Sequence, residues 1–293
     1  MEGAEVNIIF ESGHAPSGLA SVRAEVAGLI RYGQLEVPAL PEPALRLVAL
    51  AGKPRADLRL LTRLVQADAI VEARVLKVAQ YAAYQPSAPV SSLGEAISWL
   101  GAGEIADMAF TATVQACLFD PVRGRRPVED GWRASIAAAI WAREIGAVSR
   151  RRSDVTYLCG LTHDIGALVA RLSCDEVAAK LGVKLTAAEQ EAFVQEFHGE
   201  FARAIVRKWS LPEPVAESMS GWSGWAPASG ESGHVAVIHL AHHLAEIVTQ
   251  QGAEFAREAL SGNKALDVLN ITPDRFTALL DRTVWVMNQV QAY

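Results

Sequence analysis

Little in this sequence marks a secreted, membrane-spanning or disulfide-stapled protein. Among 293 residues there are three cysteines, Cys117, Cys159 and Cys174. Their number is odd and their spacing matches no zinc module, so a reducing compartment is the simplest reading. No apolar run approaches the ~18 residues that a bilayer span requires. The opening MEGAEVNIIFESG is acidic and lacks a basic leader, so it is not read as a secretory signal. Cytoplasmic placement with no membrane partner is the expectation. Excess positive charge is also missing. The net charge is −6 with histidine neutral, which favours solubility and argues against coating nucleic acid. Two short basic clusters, Arg123 with Arg125 and Arg126, and Arg150 to Arg152, read first as solvated charge. Arg151 is retained as a candidate partner contact. There is no internal repeat and no low-complexity tract, and no cofactor is called for.

What is present is apolar periodicity. Hydrophobic residues make up 51% and charged residues 20% of the chain, enough to bury a sizeable core. Val6 to Phe10 reads as a short strand. From there the apolar spacing is helical almost throughout, so the expected class is all-α. Val22 and Val26 lie on one face of a first helix over 19–32. The prolines of Val37-Pro38-Ala39-Leu40-Pro41-Glu42-Pro43 predict a helix start, since proline suits a first turn and not an interior. Asp57 and Asp68 are placed to cap the next two helices. Ser92 with Glu95, and Thr186 with Glu189, have capping-box spacing. The charged stretch 120–130 is the expected seam between two lobes. Beyond it, single helices are predicted over 132–148, over 154–172, from Thr186 through Ile205, and from Thr272-Pro273 through Met287. Ser232 is placed to cap a helix through Val248.

The informative element is Leu161-Thr162-His163-Asp164-Ile165-Gly166-Ala167-Leu168. It places a His-Asp pair in the middle of the predicted 154–172 helix. Gly166, Ala167 and Ala170 form a small-residue face that lets a neighbouring helix approach, so both polar residues are expected to be buried. A buried carboxylate needs a partner or a metal. Two readings compete: ligands of a divalent ion that activates water, or a core pair hydrogen-bonded to protein groups.

Several landmarks, in order, resemble the HDOD domain, a divergent relative of the HD metal-dependent phosphohydrolases. They span 37 to about 248. Val37-Pro38-Ala39-Leu40-Pro41-Glu42 looks like the family's Leu-Pro opening. Val65-Gln66-Ala67-Asp68-Ala69-Ile70 is similar to its following helix start, with Ala69 where proline is usual. Val90-Ser91-Ser92-Leu93-Gly94-Glu95-Ala96-Ile97-Ser98-Trp99-Leu100-Gly101 resembles its "V-x-S-L-x-x-A-I-x-x-L-G" segment. Trp132-Arg133-Ala134-Ser135, the His163-Asp164 segment, and Lys208-Trp209-Ser210-Leu211-Pro212 complete the set. The resemblance implies a multi-helix bundle of two lobes with an HD-like C-terminal core. Residues 1–36 would be an extension, 37–250 the domain with its first lobe ending near 125, and 251–293 C-terminal helices packed on it.

The departures from the family pattern carry the functional expectation. Ala134 stands where the family's Trp-x-His-Ser stretch has a ligand-bearing histidine. Met219-Ser220-Gly221-Trp222 has no histidine either. His242 stands where the resemblance implies an aspartate. The remaining degenerate site is His163, Asp164, His198 and His242, with no metal and no catalytic residue expected. Histidine cannot supply the charge that holds a hard cation such as Mg²⁺ or Mn²⁺. His14 reads as a loop residue, and His234, His239 and His243 as helix-surface or interface residues. The His239 and His243 pair has zinc-chelating spacing with no third ligand evident. Trp222 and Trp225 are either anchors for a partner or rings folded over the vacated pocket. The resemblance implies a non-catalytic bacterial signal-transduction module that binds a protein partner or a small signalling ligand. A metal-dependent phosphodiesterase acting on a nucleotide or cyclic dinucleotide is the alternative. A nucleic-acid-binding regulator using Arg150 to Arg152 is a third, disfavoured by the net charge.

Overall fold

The computed structural model describes residues 18–50, 57–82, 90–118, 126–151, 153–227 and 233–293. Among them the chain is entirely helix and connecting turn. The predicted strand at Val6 to Phe10, Arg123, Arg125, Arg152, His14 and the Ser232 cap lie outside the described residues.

The first lobe is built from α2 (Glu42–Leu50), α3 (Leu58–Gln66), α4 (Ala69–Ala82), α5 (Leu93–Leu100) and α6 (Ala102–Leu118). Helix α6 is its axis. Every residue from Ile105 to Val114 is buried, because α2, α3, α4 and α5 all pack around it. The predicted caps hold. Asp57 accepts from the Arg59 and Leu60 N–H groups at 3.0 and 3.1 Å. Asp68 accepts from those of Ile70 and Val71 at 2.8 and 3.3 Å. Ser92 accepts from Glu95 N–H at 3.2 Å, but the Glu95 carboxylate turns to Ser91 rather than closing the box on Ser92.

The second lobe contains α7 (Arg126–Val148), α8 (Ser153–Thr162), α9 (Ile165–Leu181), α10 (Ala187–Trp209), α11 (Glu213–Gly221) and α12 (Gly233–Gln251). Its main packings are α7 on α8, α9 on α10 and α12 on α7. At the start of α10 the Thr186–Glu189 capping box is complete, and Phe193, Phe197, Phe201 and Ile205 all point into the core. Helix α1 (Gly18–Arg31) lies against α9 and α10, with Val22 and Val26 fully buried. Two of the motif segments meet in space: Lys208 Nζ and Trp209 Nε1 donate to the carbonyls of Val37 and Pro38 at 2.7 and 2.8 Å. Helices α13 (Ala253–Leu260), α14 (Lys264–Val268), α15 (Pro273–Leu280) and α16 (Thr283–Ala292) close the chain. Of these, α16 touches both α4 and α7 and so bridges the lobes.

A polar cluster also joins the lobes, between α6, α7 and α8. Arg143 on α7 pairs with Glu104 at 3.0 Å and Asp107 at 3.8 Å, and its guanidinium lies 5.2 Å from the Tyr157 ring. The Tyr157 hydroxyl meets Thr111 Oγ1 at 2.9 Å and the Tyr293 hydroxyl at 3.3 Å.

Three predicted elements are corrected. Helix α7 begins at Arg126, inside the predicted 120–130 loop, because Pro127 falls in a first turn where its missing N–H is no loss. The terminal helix is two, α15 and α16, broken at Asp281-Arg282, where Arg282 pairs with Glu144 at 2.8 Å and stacks on Trp285. The 154–172 helix is also two, and the break falls on His163-Asp164. Gly160 and Gly166 explain it. A Cβ at Gly160 would lie 2.7 Å from Ala139 Cα, and one at Gly166 would lie 2.6 Å from the His198 carbonyl oxygen. The two glycines pull successive segments onto different neighbours, α7 and α10, so the chain bends between them.

Candidate functional site

The bend determines what His163 can do. Its ring is 3% exposed. Nδ1 lies 2.6 Å from the Gly160 carbonyl oxygen, which only accepts, so Nδ1 carries the proton and donates. This bond engages the carbonyl that a continuous helix would offer to the Asp164 N–H, which helps end α8. Nε2 of the neutral ring is then an acceptor, and His242 Nδ1 lies 3.0 Å from it. His242 therefore donates from Nδ1 and keeps its own lone pair on Nε2. Burial lowers the His163 pKa, partly offset by Asp164 and the Gly160 bond. Burial, followed by the neighbouring His163, His243 and His239, pushes His242 down to about 3. Both rings are neutral at neutral pH.

Two indoles lie over these rings. Trp222, just after α11, donates from Nε1 to the His163 carbonyl at 3.2 Å. Its ring centroid is 4.9 Å from that of His163, edge-on, and 4.1 Å from that of His242. The Trp222 carbonyl in turn accepts from His239 Nδ1 at 3.1 Å. Trp225 lies 5.0 Å from the His239 ring. Both tryptophans are half-buried.

The other sequence candidates are placed less centrally. Asp164 stands at the N-cap position of α9, yet its side chain makes no capping hydrogen bond. It is not bonded to His163, whose two nitrogens are engaged elsewhere. Burial pushes the Asp164 carboxyl up, against the opposing pull of His163 and His198. The His198 Nδ1 bonds back to the Gln195 carbonyl of its own helix at 3.1 Å, so His198 neighbours Asp164 without joining the His163–His242 pair. Ala134 is exposed on α7. Arg151, although exposed, rests its guanidinium on Gly233, in the space that a side chain there would fill. Sequence reasoning missed Gly160 as the partner that orients His163. It also missed Glu246, which the structure groups with His242 and His243. The four-residue step from His242 to Glu246 on one helix was the available signal.

These residues do not fit a hard, oxygen-preferring divalent ion at the His163-Asp164 pair. Neither His163 nitrogen is free, burial disfavours the charged form of Asp164, and His242 contributes no anionic charge.

The family model described as "HDOD domain" matches residues 37–221. An HDOD domain protein of unknown function from Geobacter sulfurreducens has the same fold, with TM-score 0.68 at 18% identity, covering 94% of this chain and 96% of that one. A candidate metal-dependent phosphohydrolase from Shewanella amazonensis gives TM-score 0.66 at 21% identity, covering 93% and 99%. A candidate signal transduction protein from Marinobacter aquaeolei gives 0.63 at 21%, covering 94% of this chain and 66% of that one. In sequence, an uncharacterized protein of Treponema pallidum is 20% identical over 196 residues, covering 63% of this chain and 37% of that protein. The chain thus spans little more than a third of the length of that curated relative. At these identities the structural likenesses carry the fold. No helix of the described residues is long and apolar enough to cross a membrane.

Proposed function

The chain belongs to the HDOD domain family, and from that premise we propose that it is a non-catalytic signal-transduction module that binds a protein partner or a small signalling ligand. The observation that supports this reading most is the state of His163. Both of its ring nitrogens are used inside the protein, by Gly160 and His242, and Trp222 covers the pair. A hydrolytic metal centre needs protein ligands held around an ion with one position open to water. At His163 both ring nitrogens are already engaged, so the ring offers no lone pair to an ion at the His163-Asp164 pair. Recognition then falls to the surface, where the half-buried Trp225 and the exposed Arg151 are the candidate contacts.

Two measurements test this. Under saturating Mn²⁺ or Mg²⁺, cyclic dinucleotides and simple phosphodiesters should be hydrolysed no faster than in buffer. Turnover that His163→Ala abolishes would overturn the reading in favour of a phosphodiesterase. Capture of partners from the native cell, with bound nucleotide measured on the same sample, should yield a specific protein or ligand whose binding survives His163→Ala in proportion to folded protein.

A further inference from the structure

The solvent side of α12 carries a second group of ligand atoms, which shares His242 with the paired rings beneath. One ligand atom each from His242, His243 and Glu246 lies within 4.8 Å of the other two, and His242 Nε2 is 3.9 Å from Glu246 Oε2. Three polar residues along one helix are ordinarily just a solvated face. A separate observation lifts this group above that. The hydrogen bond from His242 Nδ1 to His163 Nε2, anchored in turn by the Gly160 carbonyl, fixes the tautomer of His242. Its Nε2 is left unprotonated, and that is the atom near Glu246. Metal-binding histidines are characteristically oriented in this way, by donating their other ring N–H to a fixed acceptor. The neighbouring His239 is held alike, its Nδ1 on the Trp222 carbonyl, with its ring 4.6 Å from that of His243.

We propose that His242, His243 and Glu246 form a binding site for one borderline-soft divalent cation of the Zn²⁺ class. Two imidazoles and one carboxylate make a three-ligand set with a fourth position open to solvent. Imidazole-rich sets select Zn²⁺, Ni²⁺ or Cu²⁺ over Mg²⁺ and Ca²⁺, which require oxygen ligands. Tetrahedral zinc ligands stand ~3.3 Å apart, so the group must contract. The contraction falls on the half-buried His243 and on Glu246, whose side chain is 53% exposed, while His242 stays on His163. The ion would bind through the outer nitrogen of the same ring that holds His163. Occupancy therefore strengthens the contact between the α8–α9 bend and α12. The site does not depend on the regulatory reading above.

The test uses the full, tag-free chain stripped with chelator and titrated with Zn²⁺ in equilibrium dialysis. One Zn²⁺ per chain should bind, with a melting temperature that rises and saturates at that stoichiometry. Co²⁺ should give a visible ligand-field spectrum that Zn²⁺ displaces, and millimolar Mg²⁺ should not compete. His243→Ala and Glu246→Gln, which leave the His163–His242 bond intact, should each weaken Zn²⁺ binding at least tenfold without lowering the melting temperature in chelator. Absence of saturable binding, or stoichiometric binding unchanged by both substitutions, overturns the proposal.

Discussion

Two polar clusters within the described residues treat charge in opposite ways. At the bridge between the lobes, Arg143 stays a cation by facing Glu104 and the 5%-exposed Asp107. Burial pulls its pKa down, but the two carboxylates outweigh that and the net shift is upward. In the second lobe the nearby carboxylates, Asp164 beside His163 and Glu246 3.9 Å from His242, do not outweigh burial, so both rings are shifted toward the neutral form. The lesson is one of partner chemistry. Where opposite charges converge, a buried ion survives; where like groups converge, the proton leaves and the rings bond through lone pairs. The first arrangement locks lobes together. The second leaves neutral nitrogen lone pairs, which are what soft recognition requires.

The sharpest way to break this contrast is to remove a charge from one cluster and a ring contact from the other. Arg143→Met should destabilise the protein by ~3–5 kcal/mol in urea unfolding, because it removes the cation that faces the two carboxylates of Asp107 and Glu104. A loss under 1 kcal/mol would mean that the bridge is held by apolar contacts alone. Trp222→Ala should cost less, ~2–3 kcal/mol, since it removes a half-buried ring and the bond to the His163 carbonyl. Trp225→Ala, which removes a half-buried ring beside His239 at the edge of the core, should lower stability less than Trp222→Ala and weaken partner binding by ~2 kcal/mol or more. If the two tryptophan variants behave identically, Trp222 does not act as the cover and Trp225 as the contact.

Titration separates the clusters further. Histidines whose folded pKa lies below the unfolded value of 6.5 contribute stability that is complete above that value and is lost as pH falls toward the folded pKa. With His242 near 3, the loss runs from about pH 6.5 downward and should reach ~2 kcal/mol by pH 5 in chelator. His242→Asn should flatten the profile over that window; an unchanged slope would place the acid sensitivity elsewhere. The smallest effect is expected at Asp164. Its carboxyl is pushed up by burial, so the ionised form is a burden at neutral pH. Asp164→Asn should leave stability at pH 7 unchanged or raise it by up to ~1 kcal/mol, and the gain should shrink as the pH falls and the native carboxyl becomes neutral. A clear loss of stability would mean that the carboxylate has a partner that matters.

Much of the fold was legible because it is written in short-range physics. An N-cap interaction lies within about four residues, so Asp57, Asp68, Ser92 and Thr186 could be read directly as helix starts. The Phe193 to Ile205 stripe is likewise visible as spacing alone. Breaks were harder. Nothing in the periodicity of 154–172 marks a bend, since Leu158, Leu161, Ile165 and Leu168 keep helical spacing across it. The cause lies in the helices that Gly160 and Gly166 meet, α7 and α10. The Asp281-Arg282 break has the same kind of origin, in Glu144 of α7.

The candidate site divides along the same line. The sequence by itself determined an all-helical chain, the order of the family's landmarks, and the residue types at the degenerate site, because composition, caps and motifs are local properties. Tertiary structure alone decided that His163 bonds to His242, 79 residues away, rather than to its neighbour Asp164. It also decided which ring nitrogen of each keeps its lone pair. A tautomer is set by whichever acceptor the fold brings to the other nitrogen, and the Gly160 carbonyl became that acceptor only once the chain bent.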